Sequence, residues 1–194
     1  MKKTGKKNAY IPRVLMMVLT TVLIGVIVAI MLVVGQIQGT ARVVNYAGLV
    51  RGETQRIVKL ENAGLPQDGM IDDVTSFIAG LRFGSNELQL VRLNDVNFQN
   101  KMAELSDEFE TLKKDIQLVR TVGYHQTDII QQSEDFFAIC DEATGLAAAY
   151  SQRRATILSY LENVAVADIV ALVALIALEL FHALQFAAQN RVLQ

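Results

Sequence analysis

Proline is scarce in this sequence: Pro12 and Pro66 are the only two among 194 residues, and tryptophan is absent. With so few residues that break the backbone ladder of a helix, the chain is expected to form long, uninterrupted helices. Cysteine occurs once, at Cys140, which excludes an internal disulfide. Between Ile139 and Asp141 on a predicted helix, it reads as a small buried apolar residue. There is no phosphate-cradling glycine loop, no phosphoacceptor-histidine helix with an ATP-binding domain and no cyclase signature. The chain is therefore not expected to be an enzyme, and no cofactor is expected.

Apolar residues are abundant instead. They make up 52% of the chain, and the mean hydropathy is +0.29. That exceeds an ordinary soluble domain of this size and points to membrane segments. VLMMVLTTVLIGVIVAIMLVV, residues 14–34, is 21 residues without a charge. About 20 such residues span a bilayer core as a helix. The run is too long for a signal-peptide core, and Gly39-Thr40-Ala41 is a poor cleavage site, so it reads as an uncleaved anchor. A second span is read at residues 164–184, VAVADIVALVALIALELFHAL.

The net charge of −2 is unevenly spread. Residues 1–13 hold Lys2, Lys3, Lys6, Lys7 and Arg13 and no acid. This asymmetry places the N-terminus in the cytosol. Residues 35–163 hold 12 Lys/Arg against 18 Asp/Glu, a net of −6, and no basic patch there suits nucleic acid. The expected layout is a cytoplasmic basic N-terminus (1–13), a first span (14–34), an extracytoplasmic domain (35–163), a second span (164–184) and a cytoplasmic juxtamembrane helix (185–194). Both termini then lie in the cytosol, with the chain passing twice through the membrane and residues 35–163 periplasmic or extracellular. His125 and His182 fall on different parts of this layout, so a shared metal site is not expected. Asp168 and Glu179 share one face of the second span, three helical turns apart. They read either as rim residues near the two interfaces or as a helix–helix contact that moves during signalling.

Turn clusters at 64–69, at 84–86 and around Gly123 cut the outer region into four helical pieces. The third has the cleanest period. Phe98, Met102, Leu105, Phe109, Leu112, Ile116 and Val119 alternate spacings of four and three, with Asp95 as N-cap. The first piece repeats Val43, Ala47, Val50, Thr54 and Ile57. The second repeats Ile71, Val74, Ile78 and Leu81. The fourth runs Ile129, Ser133, Phe136, Cys140, Ala143, Ala147, Tyr150, Arg154, Ile157 and Leu161, without a breaker, into the second span. The predicted fold is all-α: an antiparallel four-helix bundle whose first and last helices continue into two transmembrane helices. Glu110 with Lys113 and Lys114, and the acids Asp107 and Glu108, read as a solvated face. Ser133-Glu134-Asp135 reads as a helix N-terminal cap rather than a hydrolase site.

The stretch VNYAGLVRGETQRIVKLE, residues 44–61, is the candidate site. A glycine in a helix interior costs about 1 kcal/mol relative to alanine, yet Gly48 and Gly52 both sit here. At a spacing of four, bare positions allow a second helix to come close. Gly48, Arg51 and Gln55 form a stripe beside the core face. In a symmetric dimer this stripe meets its own copy. Two Arg51 guanidinium groups would then converge, and a small planar oxyanion would relieve their repulsion. The plainer reading makes Arg51 a solvated or intrahelical charge, paired with Glu53 or Gln55 of a neighbouring chain or with water.

The run N-x-A-G-x-x-R-x-x-x-Q-R, formed by Asn45, Ala47, Gly48, Arg51, Gln55 and Arg56, resembles the first-helix motif of the periplasmic four-helix sensors of nitrate/nitrite sensor kinases. It also resembles the input domains of type IV pilus chemotaxis transducers. The longer stretch 44–61 is similar to input regions of bacterial transmembrane diguanylate cyclases and hybrid kinases. SEDFFAICDEATGLAAAYS (133–151) is similar to the fourth-helix signature of that group, and LFHALQFAAQNRVLQ (180–194) to the segment leading into their output domains. The resemblance implies a homodimeric ectodomain in which Arg51 binds an anion at the dimer interface, with Asn45, Gly48 and Gln55 beside it. Two departures bear on nitrate itself: Gly52 stands where the nitrate sensors have a bulkier residue, and Gln55 where they have an aromatic. The resulting expectation is the sensory input region of a dimeric membrane receptor for a small ligand, read as cut before an output such as a diguanylate cyclase or histidine kinase. The rival readings are a two-span anchor whose outward bundle binds a protein, and a transport-accessory subunit that uses Asp168 and Glu179.

Overall fold

The computed structural model describes residues 10–192, with side chains through residue 189. The lysines of the basic terminus, the Arg191 side chain and residues 193–194 lie outside the described residues. Four α-helices follow in order: α1 (Tyr10–Asn62), α2 (Asp68–Phe83), α3 (Val96–Val122) and α4 (Ile129–Val192), with a single 3-10 turn at Tyr124–Gln126. They fold as two compact units. One is Gly35–Ala155; the other combines the segments before and after it.

The Gly35–Ala155 unit is the antiparallel four-helix bundle. Its core is the set of apolar seams read from the sequence. All seven seam residues of α3, from Phe98 to Val119, are buried. So are the five expected on α1 and the four on α2. On α4, Ile129, Phe136, Cys140, Ala143 and Ala147 are buried. The α4 seam then leaves the core: Tyr150 and Arg154 are half-buried and Ile157 is 43% exposed. The bundle unit ends at Ala155, and the α4 residues that follow belong to the other unit, where Leu161 is half-buried.

Aromatic pairs tie the helices together. The Phe109 and Phe136 rings join α3 to α4, with centroids 5.6 Å apart and planes at 41°. Tyr46 meets Phe77 edge-on at 5.1 Å, joining α1 to α2. Such pairs contribute about 0.5–1.5 kcal/mol beyond the area they bury. Asp95 caps α3 as expected, accepting from the Phe98 amide at 3.0 Å. Its second oxygen accepts from Arg153 of α4 at 3.1 Å.

The link between α2 and α3 is longer than the single turn expected at 84–86. Gly84 ends α2 with φ 87°, in the left-handed region that glycine adopts at little cost. Ser85 and Leu90 then exchange backbone hydrogen bonds at 2.9 and 2.8 Å. Leu90 and Leu93 are buried and close that end of the core. Val91 packs on Gly39 of α1, where an added Cβ would come within 3.0 Å of it. Gln89 accepts a hydrogen bond from Arg42. The leucines of this link follow no helical period, which hid its role in the sequence. Ser133-Glu134-Asp135 is a second correction. The segment does not cap α4, because the helix already begins at Ile129; the Ser133 hydroxyl bonds back to the Ile130 carbonyl at 2.7 Å.

In the other unit, α1 and α4 each carry a segment long and apolar enough to cross a membrane. None of the α1 window is buried within the molecule, and only 11% of the α4 window. An exposed apolar surface of this length needs lipid or protein to cover it. The two threonines of the first segment suit such a setting. Thr20 and Thr21 return their hydroxyls to the Met16 and Met17 carbonyls at 2.8 and 2.9 Å, leaving no donor unsatisfied.

Candidate functional site

Arg51 projects from α1 of the bundle toward α4. Its Nη1 hydrogen-bonds Oδ1 of Asp141. The guanidinium carbon lies 5.3 Å from the centre of the Phe137 ring, within the range of a cation–π contact. The ion pair lies at the surface, with 39% of the Arg51 side chain and 51% of the Asp141 side chain exposed. An exposed pair contributes roughly 0.2–1 kcal/mol, so this tie is a minor part of the stability of the fold. Glu53 of the same helix lies near Arg56 at 3.8 Å. The partner within the chain is Asp141, which the sequence pattern does not single out. Its side chain meets Arg51 across 90 residues of chain, a match that only the register of α1 against α4 can reveal.

The other expected residues flank this pair. Asn45 and Gln55 are exposed, and Gly48 is half-buried. A Cβ added at Gly48 or Gly52 would meet nothing within 4 Å, and the same holds for Gly145 on α4. No close packing within the protomer therefore requires these glycines, although the two on α1 each cost about 1 kcal/mol of helix propensity.

Cys140 precedes Asp141 on α4. It is 1% exposed, and its thiol is pushed up to about 12, chiefly by burial, with the Arg51 charge opposing and the Asp141 charge adding to the shift. A thiol raised above its unfolded value of about 8.5 stays protonated in the fold after the unfolded chain has ionised. Its contribution is complete below about pH 8.5 and is lost as pH rises toward 12. Folded protein at pH 8 is expected to leave Cys140 unmodified by a maleimide, with full labelling after denaturation. Rapid labelling of folded protein would contradict the buried position.

Among the described residues two charged groups, Glu61 and Asp168, are buried. Glu61, with its side chain 1% exposed, accepts from Arg120 Nε at 2.9 Å and Nη2 at 2.6 Å. It also accepts from the Gln67 backbone amide at 2.8 Å, and Arg120 reaches Asp68 at 2.8 Å. This network knots the ends of α1 and α3 to the start of α2, and no sequence pattern announces it. Asp168, in the second apolar segment, is 7% exposed, and its Oδ2 has no hydrogen-bond partner among the described residues. Glu179 is half-buried. Among the described residues, no group of three or more His, Cys, Asp or Glu could hold a metal ion.

The fold has a solved counterpart. The chain is similar to the ligand-binding domain of the P. aeruginosa nitrate receptor McpN, with a TM-score of 0.51 and 17% identity over 57% of this chain and 96% of that one. At this identity the likeness establishes the fold. No family model matches the chain, and no curated protein matches it. The chain thus shares a helical fold with that solved domain, and two of its helices are long and apolar enough to cross a membrane.

Proposed function

We propose that this chain is the sensory input region of a bacterial membrane receptor. Residues 35–163 lie outside the membrane and bind a small ligand, an anion, at an interface between two copies of α1. Residues 14–34 and 164–184 cross the inner membrane, and both ends of the chain are cytoplasmic. The signal passes to an output such as a diguanylate cyclase or histidine kinase. The observation that carries this reading is Arg51, half-exposed on a helix face whose two glycines have no packing partner in their own protomer. The McpN domain, whose receptor is named for nitrate, lends support through its shared fold. Asn45, Gly48 and Gln55 belong to the same contact face.

A bundle whose first and last helices enter the membrane can carry a shift of about 1–2 Å across it. Ligand binding drives such a shift only through different affinities for two arrangements. Anion-dependent stabilisation that disappears in Arg51→Ala is the test of the binding site.

Asp168 and Glu179 are proposed as transmission residues. The carboxylate of Asp168 is buried and short of a partner, and such groups in membrane segments mark functional contacts. In a chimaera that joins this chain to a kinase output, Asp168→Asn is expected to leave ligand affinity unchanged and to lose most of the ligand-dependent change in activity. An unaltered response would make Asp168 a structural residue.

A further inference from the structure

We infer that Asp141 is a built-in competitor for the ligand of Arg51, so that an anion is bound only by displacing the carboxylate of α4 from the guanidinium of α1. The inference rests on the reading of Arg51 as the anion-binding group. It adds a residue that sets affinity and selects among anions, and it couples binding to the α1–α4 contact.

Three features of the site support an exchange rather than a fixed structural pair. Within its own protomer the pair is half-exposed on both sides, so the bundle core does not lock it in place. The contact is a single hydrogen bond, from Nη1 to Oδ1. A planar oxyanion can take two parallel donors of the same guanidinium, a stronger and more specific arrangement. Finally, Phe137 lies against the guanidinium at 5.3 Å. Arg51 can keep that contact while it changes partners, so its donor fork stays held when the carboxylate leaves.

The exchange has a consequence for selectivity. The displaced Asp141 carboxylate remains on the next helix and repels whatever replaces it. That repulsion grows with ligand charge, so the site favours singly charged, planar oxyanions over dianions such as hydrogen phosphate. It also has a consequence for signalling. Bound anion removes a tie between α1 and α4, and α4 continues unbroken from Ile129 to Val192. The ligand therefore prefers the arrangement in which that tie is broken, which is the differential affinity that a switch requires.

The test is isothermal titration of the full chain in detergent micelles with nitrate, nitrite, acetate and phosphate, each as a sodium salt. The proteins are wild type, Asp141→Asn, Asp141→Gln, Arg51→Ala and the double variant Arg51→Ala/Asp141→Asn. Both single neutral variants at position 141 are expected to bind the preferred anion about two- to fivefold more tightly than wild type, the factor corresponding to loss of an exposed ion pair. They are also expected to narrow the preference for monoanions over phosphate. Both variants that lack Arg51 are expected to bind none. Equal or weaker binding by both position-141 variants, with wild-type binding intact and dependent on Arg51, would overturn the competitor role and leave the Arg51 site standing. No anion bound by wild type or by either position-141 variant would overturn the anion site and, with it, this inference.

Discussion

Glu61→Ala is expected to destabilise the bundle by about 3 kcal/mol or more. The substitution removes one member of a buried ion pair, and such losses run to ~3–5 kcal/mol because the remaining charge stays desolvated. Here the remaining group is Arg120, with 22% of its side chain exposed. Asp68 would still face one of its nitrogens, which holds the expected cost to the lower part of that range. The Gln67 amide would also lose its acceptor, just ahead of the first turn of α2. Chemical denaturation of the full chain in nonionic detergent, followed by circular dichroism, gives the measurement. The paired replacement Glu61→Met/Arg120→Met is expected to cost less than Glu61→Ala alone, because apolar groups of similar size avoid the stranded charge. A cost below about 1 kcal/mol for Glu61→Ala would mean that the pair behaves as an exposed surface bridge.

Phe109→Ala carries a comparable cost, about 3–5 kcal/mol. Phe109 is among the largest fully buried side chains and packs on Phe136 in the middle of the bundle. Truncation removes the apolar surface and leaves a cavity that the flanking helices fill only in part. Phe136→Ala opens the same space from α4. The double variant is therefore expected to cost less than the sum of the two singles, since neighbours that share a cavity are not additive. Strict additivity would show that the two rings occupy independent sites.

These two cases mark the boundary of what the sequence reveals. Phe109 belongs to a seam whose alternate spacings of four and three are enough to state its burial, and the same holds for Val43 to Ile57 and Ile71 to Leu81. Asp95 announces itself as a cap by its place ahead of that seam. Helix period is a local property, and local properties are written in consecutive residues. Glu61 and Arg120 meet across 59 residues, and Arg51 and Asp141 across 90. Both pairs depend on how far one helix is slid along another, and that register follows from packing the whole core. Leu90 and Leu93 were hidden for a different reason: they close the core from an irregular link and follow no period. Ile157 shows the converse error, in which a period persists after the bundle has ended. At the candidate site, Gly48 and Gly52 were visible as anomalies on a helix, and the empty space beside them sharpens the anomaly.

The measurement that bears most directly on the proposed sensor is thermal unfolding of the full chain in detergent micelles, with and without small oxyanions and carboxylates. Sedimentation of the same samples reports whether the chain is dimeric. A bound ligand stabilises by mass action, about 2.7 kcal/mol at a hundredfold excess over its dissociation constant. The expected result is a dimer whose unfolding temperature rises with one small planar anion, with the shift absent in Arg51→Ala and that variant otherwise folded. A folded, dimeric chain that responds to none of these anions, or one that responds equally without Arg51, would contradict the account.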